Sequence, residues 1–137
     1  MGGGALTHIL DTHAWLWLVE GSDDLPPRVR QVMQDMAHAP LGLSAISPWE
    51  VAKKASLGKL SLSMPTREWI LQSLASQGLR LLPLTPEISW EANHLPGDFH
   101  RDPADQIIVA TARLHNLTLI TGDRRVRGYR HVRLLWE

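Results

Sequence analysis

The sequence predicts an α/β domain with a five-stranded, mainly parallel sheet flanked by helices on both faces. Five apolar runs, at residues 6–10, 41–46, 79–84, 117–120 and 132–135, have the length of short strands. Between them lie stretches with helical spacing and with helix start and stop residues, and strands joined by helices form right-handed parallel crossovers. The 137 residues, 44% apolar and 20% charged, suit one globular domain spanning 1–137, with residues 1–5 (Met-Gly-Gly-Gly-Ala) a flexible start.

Each element has a local reason. The first strand ends at Asp11-Thr12, and a helix from about His13 to Glu20 stops at Gly21. Asp23, Asp24, Pro26 and Pro27 lead into a second helix, whose Val29, Val32, Met33 and Met36 fall on one face before Pro40 ends it. After the second strand, Ser47-Pro48-Trp49-Glu50 opens a third helix that closes near Gly58, and a fourth runs from Thr66 to Gln77 before Gly78. The third strand is followed by Thr85-Pro86-Glu87, which opens a fifth helix reaching Asn93. Asp102-Pro103 opens a sixth, with Ala104, Ile107, Ile108 and Thr111 on one face.

Several function classes are excluded or weakened. No apolar run approaches the roughly 18 residues that cross a bilayer, and the N-terminus lacks a basic secretory n-region, so a cytoplasmic protein without a membrane partner is expected. Without cysteine there is no thiolate metal site and no cysteine nucleophile. Seven histidines are scattered with no H-x-x-x-H pair, no Gly-rich phosphate loop is present, and no serine sits in a G-x-S-x-G elbow. The net charge is zero, but from Arg101 onward seven arginines face four acids, which leaves the end of the chain +3 and the rest −3.

Parallel sheets place their sites beyond the carboxyl ends of the strands. Asp11 follows strand one, Glu50 lies just after strand two, Asp123 follows strand four, and Asp102 and Asp105 open the helix leading into strand four. Each has an ordinary structural reading. Ser47-x-x-Glu50 is a capping box, Asp102 before Pro103 is an N-cap, Asp105 suits a helix N-terminus, and Asp11 and Asp123 suit turns. Together, carboxylates gathered at one sheet end raise one another's pKa unless a cation neutralises them. Oxygen ligands without cysteine suit Mg²⁺ or Mn²⁺, and that chemistry is metal-assisted hydrolysis of a phosphodiester.

Ile9-Leu10-Asp11-Thr12-His13 with Trp17, Ser47-x-Trp49-Glu50-Val51-Ala52-x-Lys54, His100-Arg101-Asp102-Pro103-Ala104-Asp105 and Leu119-Ile120-Thr121-x-Asp123 occur in order along nearly the whole chain. This set resembles the motifs of PIN-domain ribonucleases, and is most similar to the VapC toxins of type II toxin–antitoxin systems. The resemblance implies a PIN-like fold and a Mg²⁺-dependent endoribonuclease, with Mn²⁺ as a substitute, leaving 5′-phosphate and 3′-hydroxyl ends. It implies that Asp11, Glu50, Asp105 and Asp123 form the acidic metal site, with Thr121 positioning water or a ligand and Asp102 supporting or capping. It further implies an RNA substrate, a VapB-like antitoxin lying across a groove near the early helices, and a homodimer or a toxin–antitoxin hetero-oligomer. One departure is Gln106, where this subgroup commonly has Arg. Two alternatives stay open: a housekeeping RNA-processing nuclease of the same fold without an antitoxin, and a non-catalytic PIN-fold binding module. A phosphatase with an aspartyl nucleophile also puts an Asp after strand one, but wants a second Asp where His13 stands.

Arg124, Arg125 and Arg127, continued by Arg130 and Arg133, follow Asp123 and are expected either to grip RNA phosphates or to form a solvated loop. Lys54, with Lys53 and Lys59, shares those two readings. Trp15 and Trp17, two positions apart, cannot share a helix face, so one of them is expected to be exposed toward a partner.

Overall fold

The computed structural model describes residues 5–35, 39–75 and 78–137. In chain order these form β1 (His8–Leu10), α1 (Thr12–Glu20), α2 (Pro27–Asp35), β2 (Leu41–Ser44), α3 (Ile46–Ser56), α4 (Thr66–Ala75) and β3 (Leu79–Leu82). There follow α5 (Pro86–Ala92), α6 (Pro103–Leu114), β4 (Thr118–Ile120), α7 (Arg124–Arg127) and β5 (Leu134–Leu135). The five strands make one sheet in the order β3-β2-β1-β4-β5, and every pair is parallel.

Because side chains alternate across a strand, β1 and β4 each feed two cores. Leu10, Leu43 and Ile120 join Trp15, Val29, Val51 and Trp69 on one side, with α1 to α4. Ile9 and Leu119 join Ile108, Val109, Ala112, Val126 and Tyr129 on the other, with α6 and α7. The register aligns Leu10 with Leu43 and with Ile120, so each core is a layer running across neighbouring strands.

The fully buried Trp15 is the hub of the first core. Its ring lies 4.9 Å from that of Trp69, and its indole N–H donates to the Ser73 hydroxyl at 2.6 Å. The Trp69 indole in turn donates to Glu20 at 3.0 Å, which ties the end of α1 to α4. At that end Gly21 takes φ +67°, a left-handed conformation a side chain would strain, and its N–H closes onto Leu18. Trp17 departs from the expected exposure. It is half-buried against the same core and lies 5.8 Å from the ring of Trp136; the exposed tryptophans are Trp49 and Trp90.

The strands are shorter than their apolar runs. Leu6, Ala45 and Leu84 lie outside β1, β2 and β3, because only the last residues of the first run and the first four of the second and third pair with a neighbouring strand. Helix α7, in the basic segment expected to be a phosphate grip or a solvated loop, is a single turn capped by Asp123. The expected flexible residues 1–4, Met36 of the second helix and Gln77 of the fourth lie outside the described residues. Among the described residues no helix is long and apolar enough to cross a membrane.

Candidate active site

The chain goes from β1 outward to β2 and β3, then returns to place β4 on the other flank of β1. Asp11 and Asp123 follow the two strands beside that reversal, where parallel sheets open a crevice. The Asp11 amide donates to the Ile120 carbonyl at 3.0 Å, which fastens the turn onto β4. Both oxygens of its carboxylate are held by the protein: Oδ1 accepts from the Ala14 amide at 2.7 Å, capping α1, and Oδ2 accepts from the Thr121 hydroxyl. Burial pushes the Asp11 carboxyl up, against the pull of those two hydrogen bonds.

Thr121 is fully buried and works in two directions, since its hydroxyl oxygen also accepts the Asp123 amide at 3.1 Å. One side chain therefore sets both aspartates. Replacing Thr121 by the isosteric valine is expected to leave one oxygen of Asp11 and one backbone amide without their partner, at a cost of about 1–3 kcal/mol. A urea unfolding curve checks this; an unchanged midpoint would contradict the role given to Thr121.

Glu50 arrives by a different route from the one its sequence suggests. The capping box is not formed: α3 begins at Ile46 with Ala45 as its N-cap, so Ser47 is already inside the helix. The buried Ser47 hydroxyl pairs with that of Thr12 at 2.9 Å, and the Thr12 hydroxyl donates to Glu50 Oε1. Lys54, one turn on, brings its Nζ to 3.9 Å from Glu50 Oε2. Asp102 caps α6 as expected, accepting from the amides of Ala104 at 3.0 Å and Asp105 at 3.3 Å, with Pro103 in the first turn.

Asp105 sits among these groups. Burial, followed by the charges of Asp102, Asp123 and Glu50, pushes its pKa up to about 7, even with Arg125 opposing. His100 Nδ1 accepts the Asp102 amide at 3.3 Å, which leaves the ring proton on Nε2; that nitrogen stands 3.1 Å from Asp105 Oδ2 but makes no hydrogen bond to it among the described residues. Gln106, the departure from the subgroup, bonds the His100 carbonyl at 3.2 Å and so steadies that histidine. His100, Thr12 and Ser47 are site residues beyond the sequence-predicted acids. They are members of the motifs, Ser47 also as half of an apparent capping box, but nothing in their spacing assigns them contacts with the acids.

Arg125 is placed over the acids. Its guanidinium spans Asp123 at 3.0 Å, Asp105 at 3.3 Å and Asp102 at 4.0 Å. The hydrogen bonds from Arg125 overcome the partial burial of Asp123 and hold its carboxyl below the usual range. Of its expected companions, Arg127 pairs with Glu137 and Arg124 is exposed. Because the carboxyl of Asp123 is depressed, the stability Arg125 supplies is present above the unfolded carboxylate pKa and is lost as pH falls through the folded value. Metal-free Arg125→Ala is thus expected to melt below wild type at pH 8, with the gap closing toward pH 3. A gap that is constant with pH would contradict this.

A shallow cleft of about 210 Å³ beside Asp11 and Asp123 is walled by His13, Trp17 and Gly122. The roomier clefts, of about 530 and 550 Å³, lie away from the acids. Among the described residues no three Asp, Glu or His side chains are already gathered as a metal cage. The donor chemistry nonetheless fits a hard divalent cation: all oxygen, buried or half-buried, with Asp105 driven to about 7 by burial and then by the neighbouring carboxylates, even with an arginine alongside. Asp11, with both oxygens committed to the Ala14 amide and Thr121, is not set up as a phosphatase nucleophile.

The sequence matches the family described as PIN domain over residues 8–132. It is 39% identical over 130 residues to Ribonuclease VapC22 of Mycobacterium tuberculosis, covering 93% of this chain and 95% of that protein. Among solved structures, the fold is similar to DNA-bound VapBC from Salmonella typhimurium, with a TM-score of 0.70 at 18% identity over 96% of this chain and 98% of that one. It is also similar to a toxin–antitoxin complex from Klebsiella pneumoniae, with a TM-score of 0.63 at 19% identity over 94% and 96%.

Proposed function

From the premise that this chain belongs to the PIN-domain family, we propose that it is a Mg²⁺-dependent endoribonuclease, the toxin of a toxin–antitoxin pair held in check by a VapB-like partner. Nucleases of this family generally depend on a divalent cation. The observation that carries the reading is the Asp105 carboxyl, pushed up to about 7 by burial and by the charges of Asp102, Asp123 and Glu50, with Asp123 in turn acting on Asp11. In this reading, Asp11 and Asp105 are the closest ligands, and Glu50 and Asp123 complete the site or orient the water.

When bound, the cation supplies a water of lowered pKa and charge stabilisation on the phosphoryl oxygens. The chain's own part is preorganisation. Thr121 and the Ala14 amide fix Asp11 in one orientation, Thr12 fixes Glu50, and the Asp102 cap fixes the start of α6 and with it Asp105. The His100 ring lies beside Asp105, with Nε2 3.1 Å from Oδ2, and Arg125 is an adjacent guanidinium with a side chain exposed enough to turn from the aspartates to a phosphate.

The test is cleavage of a mixed RNA pool by antitoxin-free protein with Mg²⁺, beside EDTA and Asp11→Asn controls. The expected result is cutting that needs the metal and Asp11 and leaves 5′-phosphate ends. Cutting that persists in EDTA, or no cutting by folded protein across the pool, would overturn the reading.

A further inference from the structure

We propose that a basic furrow along the α7–β5 flank is an extended RNA-binding subsite, gripping backbone phosphates several nucleotides from the cleaved bond. The proposal rests on the ribonuclease reading above and adds where the strand runs. Two clefts outside the acid cluster meet there. One, of about 300 Å³, opens between Asp98, Arg125, Gly128 and Arg130; the other, of about 530 Å³, lies between the end of α6 and the start of β5. They share Arg130 and His131, so the two form one track.

The track starts at the acids, because Arg125, which lines its first part, touches Asp102, Asp105 and Asp123. Its far part is at the opposite end of α6, whose 12 residues span about 18 Å. That length accommodates several nucleotides of single strand.

The charge along it is unbalanced. In the far cleft Arg113, Arg130 and Arg133 face a single acid, Glu91, which Arg113 pairs with at 2.7 Å. Arg133 is fixed by neutral acceptors alone, the Asn116 side chain at 3.0 Å and the Asn116 carbonyl at 2.7 Å, so its charge stays uncancelled. Arg130 is exposed and, among the described residues, makes no ion pair. A positioned guanidinium beside a free one suits phosphate oxygens, and the floor at Gly128 is open, since a Cβ there would meet nothing within 4 Å. Continuity with the acid cluster favours the substrate strand over an acidic protein segment.

The experiment uses an Asp105→Asn background, in which RNA is bound but not cut, and measures binding of a 20-nucleotide and a 6-nucleotide RNA across a salt series. Arg130→Ser, and the double Arg130→Ser/Arg133→Gln, are expected to weaken the longer RNA several-fold. They should flatten its log K against log salt slope by about 0.7 for each phosphate contact removed, and leave the short RNA unchanged. In the cutting enzyme KM for the long RNA should rise with kcat unchanged. An unaltered slope overturns the furrow, as does equal loss for both RNAs, or loss of antitoxin binding with RNA binding intact. If the unmodified chain neither binds nor cuts RNA, the ribonuclease reading itself has failed.

Discussion

Asp105→Asn is expected to remove RNA cleavage, by 10³-fold or thereabouts, and at the same time to make the metal-free protein more stable at pH 8. The two effects have one cause. Burial and the charges of Asp102, Asp123 and Glu50 push the Asp105 carboxyl up to about 7, so ionising it costs the folded state free energy. Between the unfolded value of 3.8 and that folded value, the native state holds a proton the unfolded chain has released. Stability contributed by this group therefore falls as pH rises from about 4 to 7 and levels off above. Asparagine cannot ionise, so the variant escapes the fall and gains on the order of 2–4 kcal/mol at pH 8. Binding of the cation to the metal-free wild type should weaken as pH falls through 7, because it must then displace the proton held by Asp105. Denaturant unfolding at pH 4.5 and pH 8 checks the stability half; a variant less stable than wild type at pH 8 would mean the carboxylate is retained for structure.

Gly122→Ala should damage the site without touching an acid. A Cβ on Gly122 would fall 2.5 Å from Cζ2 and 2.6 Å from Cε2 of Trp136. Trp136 packs against the first core and lies 5.8 Å from the ring of Trp17, so it is not a loose side chain that can swing aside. The strain then falls on the Thr121–Gly122–Asp123 turn, which holds Asp11 and Asp123 in place. Overpacking of this kind costs about 1–3 kcal/mol, and a displacement of an ångström in a catalytic group costs about 10²-fold in rate. Adding Trp136→Leu to Gly122→Ala should return much of both. Wild-type rate and stability in the single variant would contradict the close packing as the reason for the glycine.

How much of this was readable from the chain follows from what kind of signal each feature leaves. Alternating apolar runs and helix-end residues located all five strands and six of the helices, since burial and capping act over a few neighbouring residues. The rule that parallel sheets open at their carboxyl ends then gathered the four acids. Helix α7 escaped because a single turn leaves no periodicity; its one local mark, Asp123 as a cap, is the same residue the site needs. The false capping box shows the converse. Ser47 and Glu50 have the right spacing, yet both turn to Thr12, and that contact between α1 and α3 is decided by packing 35 and 38 residues apart. The same holds for Arg125. Its place among basic residues suggested a phosphate grip, whereas three aspartates brought close by the fold capture its guanidinium.

The most direct test of the assignment is a calorimetric titration of Mn²⁺ into metal-free protein at pH 8, wild type beside Asp105→Asn. The expected result is saturable binding to the wild type that weakens by at least about tenfold in the variant. Equal binding to both, or none to a folded wild type, would contradict a divalent-cation site built from Asp11, Glu50, Asp105 and Asp123.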